Sequence, residues 1–164
     1  MASSIGPEWL LWLKHGPLTE IVRQWVWTYP LVEAVHLLGI TLLVGSVAMF
    51  DLRLLGISRH LRVTDLAGHL LPWSYAGFGI VVLSGGLLFA TDAPAIALNP
   101  AFRLKLVLIA ATGVNAIVFH WFCYPSVQQW DRWVKPHPMV RGIAIVSLIL
   151  WTAVIICGCL IAYV

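Results

Sequence analysis

The chain has 164 residues, of which 60% are hydrophobic and only 10% are charged, and its mean hydropathy is +0.90. Because an ordinary soluble domain carries roughly a quarter charged residues, this composition excludes a soluble globule and places most of the surface in lipid. The formal net charge of +3 comes from ten Lys and Arg residues scattered beside apolar runs, a pattern that favours membrane orientation over nucleic-acid binding.

The N-terminal segment, residues 1–28, is predicted to be an amphipathic interfacial helix. Residues 7–27 combine several tryptophans with charged side chains, which is typical of a helix that lies in the membrane interface. Residues 1–16 lack the basic start and the small-residue cleavage site of a signal peptide, so we expect this segment to stay attached.

The rest of the chain, residues 29–164, predicts an all-α membrane protein, a four-transmembrane-helix bundle. Its apolar runs are continuous, whereas the strands of a membrane β-barrel alternate apolar and polar residues. Pro30 suits the first turn of the first helix, Thr64 suits the cap of the second, and Pro72 is expected to kink the second. The predicted spans are residues 29–50, 66–91, 102–124 and 140–164.

The distribution of Lys and Arg predicts the orientation. Six of them follow the first span or precede the fourth, and four lie at the other ends of the spans. This excess favours two basic loops in the cytoplasm and both termini on the outer side.

Three histidines in the predicted spans are the residues from which we predict a bound cofactor. His36 lies roughly 10 Å below the outer end of the first span, while His69 and His120 lie near inner ends and are expected to share one leaflet. Ionisable side chains in a membrane usually serve a function, and neutral imidazole is the usual axial ligand of haem iron. We therefore expect His36, His69 and His120 to bind haem b, although a buried histidine can also serve as a structural hydrogen-bond partner.

Small residues at the depth of His36 suggest a slot for a flat macrocycle. The same residues would also permit close helix packing without any ligand, and this alternative stays open. They are Gly39, Ser84, Gly85, Gly86, Ala110, Ala111, Cys157 and Gly158. The three cysteines Cys123, Cys157 and Cys159 form no disulfide framework and are interpreted as small apolar fillers.

Several charged residues are candidates to support the cofactor. Glu33 is expected either to pair with Lys105 or to orient His36, which lies on the same helix face. Arg103 and Lys105 are alternative partners for haem propionates. Lys105, Gly113 and His120 fall on one helix face that is predicted to point inward.

Three further polar residues have simpler interpretations. Asn115 lies outside the predicted inward face of the third span and is expected to bond across to another helix. Asp51 and Arg53 are interpreted as anchors at the inner boundary.

The motifs YPLVEAVHLLG, DLRLLG, LPWSYAGF, SGGLLF and NPAFRLKL, followed by Asn115, resemble a family of small bacterial inner-membrane proteins of unknown function. The resemblance covers about residues 29–120. It implies shared positions at His36, Asp51, Arg53, Pro72, Trp73, Gly77, Phe78, Phe102, Lys105 and Asn115.

The chain is also distantly similar to cytochrome b561-type proteins and to the membrane domain of copper resistance protein D. That similarity implies haem b and transmembrane electron transfer. A four-helix dihaem cytochrome needs two histidine pairs, but the fourth span has no histidine. His69 and His120 are expected to pair, while His36 would need His15, another ligand or an open position.

The leading prediction is a cytochrome of the inner membrane that holds one or two b-type haems. It would pass electrons between a quinone-type or membrane donor and a periplasmic partner, alone or as a subunit of a quinone-linked oxidoreductase. The alternative is a cofactor-free accessory or scaffold subunit of a larger membrane complex. Copper is disfavoured because no Met or Cys cluster accompanies the histidines.

Overall fold

A computed structural model describes residues 8–163, and residues 18, 21, 23 and 24 by their backbone alone. All regular structure in this range is helical. The α-helices are α1 (Glu8–Lys14), α2 (Pro17–Gln24), α3 (Thr28–Leu54), α4 (Val63–Thr91), α5 (Ala93–Leu98), α6 (Pro100–Val118), α7 (Val127–Trp130) and α8 (Pro138–Leu160).

Four helical stretches are long and apolar enough to cross a membrane: Thr28–Leu54, Val63–Thr91, Pro100–Trp130 and Pro138–Leu160. The prediction of an all-α, four-span membrane protein is thereby confirmed. The fourth span begins before residue 140, and Val164, where it was predicted to end, lies outside the described residues, as do residues 1–7.

Prolines set several helix starts. Pro17, Pro100 and Pro138 occupy the first positions of α2, α6 and α8, where the missing N–H is not needed and the fixed φ already suits a helix. Pro72, by contrast, lies inside α4, which continues through it. The chain leaves α3 through Gly56, whose φ of +100° is readily available only to glycine.

Pro125 explains why the third span ends irregularly. Its ring excludes the carbonyl four residues earlier and it has no N–H to donate, so regular α-helix cannot continue. The backbone instead widens to a π-helix over Phe119–Cys123, with the N–H of Tyr124 donating to the carbonyl of Phe119, and then tightens to a 3-10 turn over Tyr124–Ser126.

Helices α3 and α4 pack against each other with their backbones close together. A Cβ atom on Gly77 would lie 2.7 Å from the backbone N of Leu43 and 3.0 Å from the carbonyl O of Gly39. A Cβ on Gly39 would lie 2.7 Å from Cγ2 of Ile80. Only glycine at these two positions permits this approach, which fixes the register of α3 against α4.

The second helix pair is α6 on α8, and α3 also contacts α8. The four spans meet in an apolar core at one end of the bundle, where the Phe50 and Phe119 rings pack edge to face with centroids 5.6 Å apart. That core consists of Phe50, Leu54, Val63, Ala67, Phe119, Cys123, Val127, Trp130, Val140 and Ala144. At the other end, α1 and α2 pack on α5, α4 and α3, and Lys14 pairs with Asp92 at 2.8 Å.

The loops beside the apolar core, residues 55–62 and 131–137, form what we call the basic end. Arg53 joins them: its Nε donates to the carbonyl of Leu61 at 2.8 Å and its Nη2 to that of Asp131 at 2.9 Å. The carboxylate of Asp131 accepts from the backbone N–H of Thr64 at 2.9 Å and from its hydroxyl at 3.1 Å. Thr64 was predicted to be the cap of α4, but α4 starts at Val63 and Asp131, distant in sequence, caps it.

The start of α6 offers a test of local stability. The Asn99 side chain accepts hydrogen bonds from the N–H groups of Ala101 and Phe102 and donates to the carbonyl of Ile161 at 3.2 Å. We expect Asn99→Ala to lower the free energy of unfolding by about 1 kcal/mol, as for other N-cap losses. Denaturant titration in detergent measures this. Thr152→Ala, which removes only a bond to a carbonyl of its own helix, serves as the control.

Candidate functional site

A partly buried hydrogen-bond chain joins the half-buried His36 on α3 to the buried Ser84 on α4. The Ser84 hydroxyl lies 2.6 Å from the carbonyl O of Ile80 and 2.9 Å from His36 Nδ1. Because a carbonyl can only accept, the single hydroxyl proton points to Ile80. His36 Nδ1 then carries the proton and donates to Ser84 Oγ, and Nε2 is the unprotonated ring nitrogen.

Gly85 makes room for the His36 imidazole. A Cβ on Gly85 would lie 2.9 Å from Cε1 of the ring, so any larger residue would displace it. The predicted slot is therefore partly filled by protein: Gly39 contacts α4, and Gly85 receives the histidine. Gly86, in contrast, is exposed, and a Cβ added there would meet nothing within 4 Å.

An apolar cavity of about 300 Å³ lies beside Ser84 between α3 and α4. Apart from Ser84 and Thr28 its walls are aliphatic, and it opens toward the lipid-facing surface. Its lining residues are Thr28, Leu31, Val32, Val35, Ile80, Leu83, Ser84 and Leu87.

Lys105 on α6 points into the bundle. Its Nζ lies 3.4 Å from the position that a Cβ on Gly158 would occupy, so the glycine on α8 leaves space for the ammonium. Among the described residues, Lys105 has no ion-pair partner, because the one salt bridge there joins Lys14 to Asp92. Lys105 and His36 thus bring a cation and an imidazole together in the half of the bundle nearer α1 and α2.

Glu33 and Arg103 do not join this cluster. Glu33 is exposed and forms no salt bridge with Lys105 within the described part of the chain, so the ion pair expected between them is not formed. Arg103 is also exposed, and its Nε donates to the carbonyl of Ala97 at 2.9 Å, which ties the end of α5 to α6. Both side chains lie near the start of a spanning helix, Glu33 in α3 and Arg103 in α6.

His69 and His120 lie toward the basic end. His69 is exposed and lines a polar cavity with His60. His120 donates through Nδ1 to the carbonyl of Ala116 at 3.0 Å and stacks on Tyr124 with ring centroids 5.7 Å apart. Fifteen residues separate His69 from Ser84, which corresponds to about 22 Å along α4. Neither His69 nor a ligand bound to His69 therefore reaches His36.

The inward face of α6 differs from the predicted one. Thr112 and Ala101 are buried and Lys105 is half-buried, whereas Gly113 is exposed. The predicted face included His120, which lies at the edge of the observed inward face. Its centre was therefore displaced around the helix axis, toward Gly113. Asn115 donates to the carbonyl of Ile143 on α8 at 3.3 Å, which confirms the prediction that it bonds to another helix.

Asp51 and Arg53 are more deeply buried than anchors at a boundary would be. They are only 5% and 2% exposed, and one atom of each, Oδ2 of Asp51 and Nη1 of Arg53, has no hydrogen-bond partner among the described residues. The sequence did not reveal this burial, because it depends on the two basic-end loops folding over Arg53. Of the cysteines, Cys123 and Cys157 are buried as predicted fillers, while Cys159 is exposed.

The donor chemistry at His36 is compatible with haem iron. A bound haem would be held through Nε2, the unprotonated nitrogen, and Ser84 would orient the ring through the other nitrogen. A second histidine is not brought to it: His15 is exposed in the turn between α1 and α2, and the other two are toward the basic end. Within residues 8–163, no three His, Cys, Asp or Glu side chains form a group that would hold a bare metal ion.

No protein-family model, curated protein or solved structure matches the chain. The resemblance to small bacterial inner-membrane proteins and to cytochrome b561-type proteins therefore stays a prediction.

Proposed function

We propose that the chain is a haem b-binding integral membrane protein that takes part in electron transfer, with His36 as the axial ligand. The observation that carries this proposal is the hydrogen-bond chain from Ile80 through Ser84 to His36, which orients the imidazole and leaves Nε2 as its unprotonated nitrogen. A structural histidine would make the same hydrogen bond, so the haem content of His36 variants is what separates the two roles.

The neighbouring residues supply what such a cofactor requires. Ser84 holds the ring in one orientation, and the side chains around the cavity next to Ser84 are almost all apolar, which disfavours water there. Lys105, in the same half of the bundle, has no ion-pair partner among the described residues and is suited to a propionate carboxylate. Bound haem b would supply one-electron chemistry, and the chain would tune its potential through ligation and burial.

The proposal extends to location and partners. The chain spans a lipid bilayer several times, and we place it in a bacterial inner membrane with both termini periplasmic, on the charge distribution between its ends. A quinone-type donor in the bilayer and a periplasmic redox protein are the proposed partners. The half of the bundle that holds His36 and Lys105 would then face the periplasmic partner.

Substitution of the ligand and of its orienting residue tests the proposal. We expect His36→Ala to lower the haem content of the purified protein at least tenfold, because the ligand proposed for the iron is lost. Ser84→Ala should retain haem but weaken its binding by about 10-fold or more and shift the reduction potential, as for other residues that orient a metal ligand. Haem is quantified as the pyridine haemochrome, and the potential by redox titration.

His60→Ala is the matched control, since His60 is exposed at the basic end. Its haem content should equal that of the unmodified protein. Equal haem content in His36→Ala and in the control would refute the assignment of His36.

The scaffold alternative rests on a different observation. Gly39, Gly77 and Gly85 are all used in packing α3 on α4 or in holding His36, so these glycines need no ligand to explain them. If the chain is a cofactor-free subunit, affinity purification from its native membrane should recover stoichiometric partner subunits, and His36→Ala should release them without changing any optical spectrum.

A further inference from the structure

A second cavity, of about 380 Å³, lies at the basic end, away from His36. It is located where the loop between α3 and α4 meets the segment that precedes α8, at the boundary between the apolar spans and water. Its lining residues are His60, Leu61, Arg62, Asp65, Leu66, His69 and Arg132.

The walls of this cavity are held together by hydrogen bonds between the two loops. Arg132 Nε donates to the carbonyl of His60 at 2.9 Å, and the N–H of Trp133 donates to the carbonyl of Arg59 at 3.1 Å. Arg53, near the end of α3, donates hydrogen bonds to the same loops at the carbonyls of Leu61 and Asp131. The cavity is therefore a constructed feature of the fold and not a gap between independent loops.

Backbone strain is concentrated in the same loops. Ser58 and Trp133 have φ values of 54° and 64°, in the left-handed region that side chains other than glycine rarely adopt. Such conformations persist where surrounding contacts enforce them, often at binding sites. At Trp133 the result is an indole that is 67% exposed, with the Arg132 guanidinium 5.8 Å from the ring centroid.

The charges in the cavity favour an anion. Arg62 and Arg132 face it with a single carboxylate, that of Asp65, and His60 and His69 add ring nitrogens. Within the part of the chain that the structure describes, Arg132 bonds to protein only through Nε, so its two terminal nitrogens remain available as a fork that matches two oxygens of a phosphate. Leu61 and Leu66 give the cavity an apolar wall toward the bilayer.

We propose that this cavity binds a phosphate group, carried by the headgroup of an anionic phospholipid or present as free phosphate. A basic pocket between helices at a membrane boundary is the usual form of an anionic lipid site. The exposed Trp133 indole next to Arg132 suits the interfacial region, where aromatic rings favour the headgroup level. The lipid would bridge the two basic-end loops and hold α3 and α4 to α8. This proposal does not depend on haem binding.

Binding is tested on the full chain purified in an uncharged maltoside detergent. Titration with phosphatidylglycerol should give saturable adducts in native mass spectrometry and a rise in the thermal unfolding midpoint. Phosphatidylcholine, with a neutral headgroup, should bind at least 10-fold more weakly. Inorganic phosphate, titrated separately, distinguishes the two sources: saturable protection by phosphate alone assigns the site to the free anion, and protection by phosphatidylglycerol alone assigns it to the lipid.

Two variants locate the site. Arg62→Gln and Arg132→Lys should each weaken phosphatidylglycerol binding by about 5-fold or more, and Arg132→Lys keeps the charge while losing the fork. Arg141→Gln removes an equal charge from α8 outside the cavity lining and should leave affinity within 2-fold. Equal binding of the two lipids with no protection by phosphate, or equal loss in all three variants, would overturn the proposal.

Discussion

Alanine at Gly77 is expected to destabilise the protein, although alanine is the better helix former. The added Cβ would lie 2.7 Å from the backbone N of Leu43 and 3.0 Å from its Cα, and neither atom can move without shifting α3. Overpacking of this kind costs about 1–3 kcal/mol. Because α3 carries His36 and α4 carries Ser84, the same shift should lengthen the bond between them. Unfolding by SDS titration from a maltoside micelle, followed by helical circular dichroism, measures the change.

Gly79 provides the matched control on the same helix. It is exposed, and nothing lies within 4 Å of an added Cβ, so Gly79→Ala should be neutral or stabilising by up to about 1 kcal/mol through helix propensity. Of the two alanine variants, only Gly77→Ala should therefore lose stability. If both stabilise the protein equally, the close packing of α3 on α4 at Gly77 is not present in the membrane.

Replacement of Arg53 by methionine is the second substitution that we expect to lower the free energy of unfolding strongly. Methionine fills similar space but donates no hydrogen bond, so the carbonyls of Leu61 and Asp131 lose the guanidinium that they now share. The carbonyl of Asp131 still accepts from the backbone N–H of Val63 at 3.2 Å, which leaves the carbonyl of Leu61 unsatisfied, and we expect a loss of about 1–3 kcal/mol. The basic-end loops should also become accessible to proteolysis, which gives a readout separate from global stability.

Arg141→Met is the control for Arg53, since Arg141 is exposed at the start of α8. It should change the free energy of unfolding by less than about 0.5 kcal/mol. Loss of stability in both variants to the same extent would show that positive charge at this end of the bundle, and not the Arg53 hydrogen bonds, is what stabilises the fold.

Hydropathy alone was enough to predict the all-α class and the four spans, because lipid requires every spanning backbone to satisfy its own hydrogen bonds. Helix ends were less predictable. Pro125 disturbs the third span through π and 3-10 turns, and α4 receives its cap from Asp131. That partner lies 67 residues from Thr64 in sequence, so local pattern could not identify it.

The candidate site was predictable by residue type but not by arrangement. His36 and Ser84 both stand out in the sequence, yet their contact depends on the rotation of α3 against α4, which Gly39 and Gly77 determine. Continuous apolar sequence gives no indication of which face of a lipid-exposed helix points inward. For this reason the prediction of an inward Gly113 and of a Glu33–Lys105 pair was wrong, since both Gly113 and Glu33 are exposed.

The central claim is that His36 binds haem iron, and the most direct test is the optical spectrum of the unmodified protein. Expression in haem-replete cells, purification in detergent and reduction with dithionite should yield the sharp α and Soret bands of a b-type haem, with about one haem per chain by pyridine haemochrome. A featureless visible spectrum from such cells, with the protein folded by circular dichroism, would contradict the claim.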